Sequence, residues 1–572
     1  MEPIKKNTDT EQMKHQQKAG QSANKQQAPK QNEPILTPTD EFEERKKKLQ
    51  ELRDLKILPY AERFERTHLV DEIKKEAEGE TLRAVEEIVA KPNSKVRMAG
   101  RVMLMRPHGK LTFAHLQDLS GKMQIAFMQD FVDMEGADGG AKKGDAGRTE
   151  AKKIAPPEAY KLLRKIDVGD FIGVTGELFM TKHGELTLLV QSYQLLSKTL
   201  RPLPEKFHGI ADTELKYRKR YLDMLTDRET YDRFLLRTRL ITEIRKFLDS
   251  HNFIEIETPI LTSIPSGAAA KPFTTHHHAL DIDLYLRIAP ETYLKRAVVG
   301  GFERVYEFAK CFRNEGMDPS HLQEFTMLEY YGSYWNYEDN MNFTQELILN
   351  ALEKMTSDKI VKTADAYQIT CKDHEGKDQI ISFSKKPWPR LNFAELIKKD
   401  SGINILDFYG DADALRAETK RKKIIIEKAE TMGYGNLCDA LYKKVSRPSL
   451  IQPAFVIKHP VDTKPLARRN DQDPRIADTF QLLVNSWEIV NAYSELIDPV
   501  DQRERLMRQA DAKAAGDEEA MPMDEDFIMA MEHGMPPMSG WGMGIDRFMA
   551  LITNQDNLKD TVLFPLMRPD TN

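Results

Sequence analysis

The sequence predicts an α+β chain: a small five-stranded Greek-key barrel leading into a large domain of mixed helices and strands. Three observations predict it. Residues 95–200 contain short runs of alternating polarity, three before one helical segment and two after it, which is the strand order of such a barrel. From residue 212 onward, helical periodicity and strand alternation interleave to the end of the sequence. The 572 residues exceed one ordinary domain, and 40 % hydrophobic with 30 % charged residues suits packed domains with charged surfaces.

The same composition excludes several classes. Lys+Arg (84) against Asp+Glu (90) leaves −6, so the surface is not globally cationic. No run approaches the roughly 18–20 apolar residues of a membrane span, and the polar start has no secretory apolar region. Cys311, Cys371 and Cys438 form neither a disulfide framework nor a zinc spacing. This is the profile of a cytoplasmic, reduced protein without membrane contact or structural metal.

In order along the chain, residues 1–40 are rich in Gln, Lys and Asn and hold nothing to bury, so they are expected to be disordered. Scattered lysines there could serve as a weak nucleic-acid tether. Residues 41–94 are a helical N-terminal segment. Its first part, EFEERKKKLQELRDLK (41–56), is expected to be one solvated helix. The barrel strands are VRMAGRVMLMR, KLTFAHLQDLS and GKMQIAFMQD, then FIGVTGELFM and GELTLLVQSYQLL, with the helix EAYKLLRKI (158–166) between the two groups. Barrels of this order commonly bind oligonucleotides. The Gly/Lys-rich stretch 136–153 lacks core residues and is expected to be a mobile insertion. A Pro/Gly-containing linker (201–211) precedes the large domain, 212–572. That domain's first long helical pattern runs from Tyr231 to Ser250, and the strand NFIEIETP ends at Pro259.

Three segments of the large domain carry chemistry. RVYEFAKCFRNEG (304–316) and EFTMLEYYGSYW (324–335), joined by a polar loop, predict a long hairpin. Alternation puts Arg313 and Glu315 on one face of its first strand, and Phe325, Met327, Glu329 and Tyr331 on one face of its second. An arginine, two carboxylates and two aromatics on matching parities are too charged for a core and point to a site. In WEIVNAYSEL (487–496), Asn491, Tyr493 and Glu495 share a face. SGWGMGIDRF (539–548) predicts a glycine-rich turn entering a helix, with Arg547 in its first turn, a combination suited to phosphate.

These segments together resemble the class II aminoacyl-tRNA synthetases, within the lysine/aspartate/asparagine subgroup and nearest to its lysine branch. The family has three ordered motifs. The helix and strand ending at Pro259 resemble the first, FRNEG through EFTMLEYY the second and GWGMGIDRF the third. DTELKYRKRYLDML (212–225), PSGAAAKPFTTHHHAL (265–280), RIAPETYLKRAVVGGFERVYE (287–307), HPVDTKPLAR (459–468) and NAYSELIDP (491–499) resemble the lysine branch in particular.

The resemblance implies an antiparallel-sheet catalytic domain behind an OB-fold anticodon-binding barrel, and a homodimer through the first motif. It implies activation of L-lysine by ATP with Mg2+, then transfer to tRNA(Lys). Adenylation is attack of a carboxylate on the α-phosphorus, which needs positioning and charge stabilisation more than covalent chemistry. By resemblance, Arg313 and Arg547 are the catalytic arginines, on the α-phosphate and the γ-phosphate. Glu315, His321, Phe325, Glu488 and Gly544 complete the ATP site. Gly267, Glu291, Glu329, Tyr331, Asn491, Tyr493 and Glu495 form the lysine site. Glu488 matches one magnesium ligand, and Gln481 stands where the family has a second, a glutamate. Arg106, Phe113, Gln124 and Glu185 are implied to read the anticodon. Leu322, in place of an asparagine in the hairpin loop, is shared with the aspartyl relatives and keeps an aspartyl- or asparaginyl-type ligase open. Gln481 and the altered loop keep open a catalytically silent tRNA-binding paralogue. The parity of Phe113, shared with Leu111, leaves it open as barrel core.

Overall fold

A computed structural model describes residues 40–137, 152–204, 210–268, 270–357, 359–372, 376–514 and 520–569. The expected disorder of residues 1–39 and mobility of 138–151 concern stretches outside the described residues, as does 205–209 of the linker. The chain divides into two compact units, one ending at Leu203 and the other starting at Pro204.

The first unit is built on five strands, Val96–His108, Leu111–Gln117, Lys122–Met128, Phe171–Met180 and Leu186–Ser197. They pair antiparallel in sequence, except that Val96–His108 pairs with Phe171–Met180 across the intervening helix. Parallel pairing of the third strand with the fifth closes the barrel. Alternate residues such as Met98, Ala114, Leu116, Ile125, Phe127, Val174 and Val190 are fully buried inside. The α+β class and the barrel strands agree with the sequence reading. The ends of the expected mobile insertion are strands instead: Asp133–Ala137 pairs with Lys152–Ile154 and with Leu186–Ser197. Backbone hydrogen bonding orders these ends although they bring few apolar side chains: Asp133–Ala137 pairs with the last barrel strand, and Lys152–Ile154 pairs with Asp133–Ala137.

The first helix, Asp40–Asp54, is not wholly solvated as expected. Leu49 and Leu52 are buried, and so is Arg45, whose Nη1 donates to Val168 O at 3.1 Å. Lys48 pairs with Asp167 at 2.5 Å. Half of the basic run is therefore committed to the barrel, because long cationic side chains bury their stems when the head finds a partner. Lys46 and Lys47 stay exposed.

The second unit opens with two short helices, Thr213–Arg218 and Arg220–Thr226, ahead of the predicted long one. That helix, Arg228–Ser250, starts three residues earlier than its apolar pattern because Asp227 caps it, accepting from Glu229 N at 2.9 Å. The centre is an eight-stranded sheet. From one edge its strands are Arg390–Asn392, Ala454–Ile457, Thr479–Val484, Trp487–Ser494, Met538–Gly544, Glu324–Ser333, Arg304–Phe312 and Ile254–Glu255. Only the two edge pairings are parallel. Arg228–Ser250 and Tyr337–Lys354 cover one face, where Leu240, Ile244, Leu328, Tyr330, Leu347 and Ile348 are buried and Tyr330 stacks on Trp541 at 4.7 Å. The opposite face of the middle strands is polar and open. Among the described residues, no helix is long and apolar enough to cross a membrane.

Candidate active site

Met538–Gly544 lies between Glu324–Ser333 and Trp487–Ser494, and its register defines the site. Met327, Glu329 and Tyr331 oppose Gly544, Gly542 and Gly540; from the other side, Asn491 and Tyr493 oppose Gly542 and Gly540. Directly opposed residues of antiparallel strands point to the same face. The glycines are therefore a floor without side chains, and the flanking strands are its walls. The predicted glycine-rich turn is thus an extended strand, and only at Gly544 does the chain enter the helix Ile545–Ile552. A Cβ at Gly540 would overlap Glu495 Oε1 and the Tyr331 ring. Above the floor is a cavity of about 380 Å³, within the range of small-molecule sites.

One end of the cavity is anionic. Glu291, in the first turn of the helix Glu291–Val299, Glu329 and Glu495 all line it and are buried. Lys295, fully buried one turn after Glu291, reaches Glu291 Oε1 at 2.7 Å and Glu495 Oε2 at 2.5 Å. Tyr493 OH donates to Glu291 Oε1 at 2.7 Å, and Tyr331 OH to Glu329 Oε2 at 3.4 Å. Burial holds the Glu329 carboxyl well above the usual range, with Glu291 and Glu307 adding to it. Burial also pushes Glu495 up to about 8, against the pull of Lys295. Gly267 closes this end at φ +90, where a Cβ would press on Glu291 Cβ at 3.1 Å.

The other end is cationic and aromatic. Strand Arg304–Phe312 stops before Arg313 and Glu315, so these two are not strand residues as expected; they follow its end and still line the cavity. Arg313 N donates to Gln323 O at 2.9 Å, which keeps the hairpin zipped, and its guanidinium lies over the Phe325 ring at 5.1 Å. Ser320, His321 and Leu322 face the cavity from the loop, with His321 Nδ1 and Asp318 Oδ2 2.8 Å apart. Gly544, Arg547 and Glu488 complete this end, and Arg547 Nη1 donates to Glu488 O at 2.9 Å.

Gln481 opposes Asn491 in the sheet but does not line the cavity. Its Oε1 lies 3.2 Å from His459 Nε2. Lys464, which lines the cavity, donates instead to Asn491 Oδ1 at 2.7 Å. Among the described residues, no three carboxylate, histidine or cysteine side chains are grouped to hold a metal ion. The Glu488 carboxylate can join a magnesium ion carried in on phosphates; the Gln481 position does not fit a second one, because its amide oxygen is engaged and an ammonium stands beside it.

Lys295 and Lys464 were not singled out in the sequence. The four-residue spacing of Glu291 and Lys295 on a helix was a usable signal. Lys464 had none, since its contacts come from distant strands. Asp546 was also missed: it accepts from Thr326 N at 2.7 Å and pairs with Arg237 at 2.6 Å, anchoring the hairpin to the helix that carries Arg547.

On the barrel, Arg106 opposes Phe113 across one strand pair and His115 opposes Gln124 across the next. Gln124 Nε2 donates to Thr187 Oγ1 at 2.8 Å, and Glu185 lies 3.5 Å from His115. Phe113 alternates with buried Thr112 and Ala114, so it is on the outer face; there it packs beside Ile88, Phe179 and Leu189 and is not part of the main barrel core.

Comparison with known proteins gives the family. Residues 212–568 match the model of tRNA synthetases class II (D, K and N), and residues 96–196 match an OB-fold nucleic acid binding domain. The chain is 44 % identical to a lysine–tRNA ligase of Carboxydothermus hydrogenoformans over 92 % of this chain and 97 % of that one. It is 40 % identical to the lysine–tRNA ligase of Bacillus subtilis, with coverage of 92 % and 97 %. It is 44 % identical to that of Aquifex aeolicus, with coverage of 88 % and 78 %. The chain belongs to the class II tRNA synthetases of the aspartate, lysine and asparagine group.

Proposed function

We propose that the chain is a lysine–tRNA ligase that joins L-lysine to ATP as lysyl-adenylate and then transfers lysine to the 3′ end of tRNA(Lys). One observation carries the choice of amino acid. Glu291, Glu329 and Glu495 face a single resident ammonium, Lys295. Burial opposes ionisation of Glu329 and Glu495 with only that one ammonium present, so a further cation is needed to make this end fully anionic. Free lysine brings two ammonium groups. An aspartate or asparagine side chain would add a negative charge or none, so the aspartyl-type alternative has no support from this end. The near-full-length likeness to lysine–tRNA ligases points the same way.

In this reading Glu329 and Glu495, with Tyr331, receive the ε-ammonium and Glu291 the α-amino group. Asn491 and Tyr493 shape the wall, and Gly267 leaves room for the backbone. The α-carboxylate then points towards Arg313, which holds it against the α-phosphate and stabilises the charge that builds there. Arg547 takes the γ-phosphate end. Phe325 stacks on adenine, Glu315 faces the nucleotide, and His321 contacts departing pyrophosphate. Magnesium bound to the phosphates would neutralise their charge, with Glu488 as its protein carboxylate. Anticodon bases would stack on Phe113 and meet Arg106, Gln124 and Glu185. A homodimer is supported by exposed Ile254 on the edge strand of the eight-stranded sheet and by exposed Ile260 and Leu261 shortly after it. A cytoplasmic location is in keeping with three buried free thiols.

The test is ATP–pyrophosphate exchange with each of the twenty amino acids. A lysine-only signal is expected. Silence with all twenty, from folded protein that binds tRNA, would establish the catalytically silent paralogue.

The pocket also sets a pH dependence. Carboxyls raised by burial hold protons in the empty site, and an incoming ammonium expels them. Lysine keeps its own ε-proton up to about pH 10. Lysine affinity should therefore rise with pH between about 6 and 8.5, by at most roughly tenfold per unit for each linked proton. Titration calorimetry in buffers of different ionisation enthalpy should show proton release on binding. A flat affinity with buffer-independent heat would remove this account of the pocket.

A further inference from the structure

Beside Arg313 and Arg547, the cavity is lined by a third cation. Lys464 stands on a short segment tied down at both ends: its N donates to Val461 O at 3.0 Å, and its O accepts from Ala467 N at 3.2 Å. The side chain is half-buried, lines the cavity together with Glu488 and Asn491, and donates to Asn491 Oδ1 at 2.7 Å. Asn491 lies directly across the sheet from Gln481. The two amide oxygens that could have served a metal are thus both taken. Asn491 Oδ1 accepts from Lys464. Gln481 Oε1 faces His459 Nε2, which must be the donor because an amide oxygen only accepts.

Glutamate at 481 would give this wall two carboxylates, a suitable setting for a divalent ion. Glutamine removes one negative charge, and Lys464 adds a positive one. A dication beside a fixed ammonium is repelled, the more so in a cavity that excludes water. A lysine ammonium is itself a compact phosphate-binding point charge with three donors.

We propose that Lys464 is a further cation of the nucleotide site beside Arg313 and Arg547: its ammonium meets the phosphate chain of ATP directly and replaces the second divalent ion, the one a glutamate at 481 would hold, while the Glu488 carboxylate stays open to an ion carried in on the phosphates. The proposal rests on the reading of this cavity as an ATP site. It makes the protein less dependent on free divalent cations for holding nucleotide than a two-carboxylate wall would be.

The experiment uses the full chain with lysine and a non-hydrolysable ATP analogue. Analogue affinity is measured by calorimetry in excess magnesium and in EDTA, and Mn2+ uptake is counted by electron paramagnetic resonance. In the unsubstituted protein, affinity should fall less than about tenfold in EDTA; in Lys464→Met it should fall at least about a hundredfold. Lys464→Arg should restore tolerance of EDTA. The double variant Lys464→Ser/Gln481→Glu should take up one more Mn2+ per site than the unsubstituted protein. Equal EDTA sensitivity in the unsubstituted protein and Lys464→Met, or equal Mn2+ counts in the unsubstituted protein and the double variant, would overturn the proposal while leaving lysine-dependent exchange untouched. Absence of analogue binding even in magnesium would overturn the ATP-site reading together with it.

Discussion

Replacing Arg313 by alanine should lower lysine-dependent ATP–pyrophosphate exchange about a thousandfold, in kcat more than in KM. Its guanidinium reaches the cavity from just beyond the hairpin strand, where one side chain can touch both the substrate carboxylate and the α-phosphorus oxygens. Charge shifts between those groups only as the new bond forms, so the contact stabilises the transition state beyond the ground state. Losing one such preorganised donor costs on the order of 100- to 1000-fold, and a full positive charge belongs at the upper end. The fold should tolerate the change to within about 1 kcal/mol. The side chain lies over the Phe325 ring, while the hydrogen bond that zips the hairpin comes from the Arg313 backbone. Exchange kinetics beside a thermal melt check both parts. Normal kcat in a folded variant would remove Arg313 from the reaction.

Glu495→Gln should raise KM for lysine by about 30-fold to several thousand-fold, with KM for ATP changed less than about threefold. Truncating or neutralising one partner of a buried charge pair costs about 2–5 kcal/mol. Here the carboxylate serves Lys295 at 2.5 Å and, in the proposed complex, the incoming ε-ammonium as well. Glutamine keeps the shape and removes the charge, leaving Lys295 with Glu291 alone and one less anion for the substrate. The ATP end is built from other residues, chiefly Arg313, Phe325 and Arg547. Steady-state exchange with lysine and ATP varied separately gives the two constants. Equal effects on both would show that Glu495 is not at the amino-acid end.

Much of this site could be read from spacing. The parity of Phe325, Met327, Glu329 and Tyr331, and of Asn491, Tyr493 and Glu495, was legible because a strand's side chains alternate whatever its partners. Both sets line one cavity. Arg313 and Glu315 line the cavity, but not as strand residues: the strand ends one residue before Arg313, and the cavity wall continues without it. The glycines of SGWGMG were misread as a turn. Glycine signals backbone freedom, and only the partners of that strand show that the lost side chains make space instead of a bend.

What the sequence determined by itself was local and periodic: the barrel strands, the long helix, the hairpin faces, and a set of residues whose order along the chain matched one family. These depend on residues a few positions apart, whose geometry is set by the backbone. What only the tertiary structure decided was pairing between distant segments. Gly540 lies beside Tyr331 and Tyr493, Lys295 bridges Glu291 and Glu495, and Lys464 sits on Asn491. Whether a charged side chain is a solvated surface group or an internal counter-ion depends on what packs around it. Lys295 and Lys464 carry the same charge as the solvated Lys46 and Lys47. Apart from Glu291, four residues from Lys295 on its own helix, their partners are brought in by strands elsewhere in the chain, Glu495 for Lys295 and Asn491 for Lys464, and that pairing no short window of residues contains.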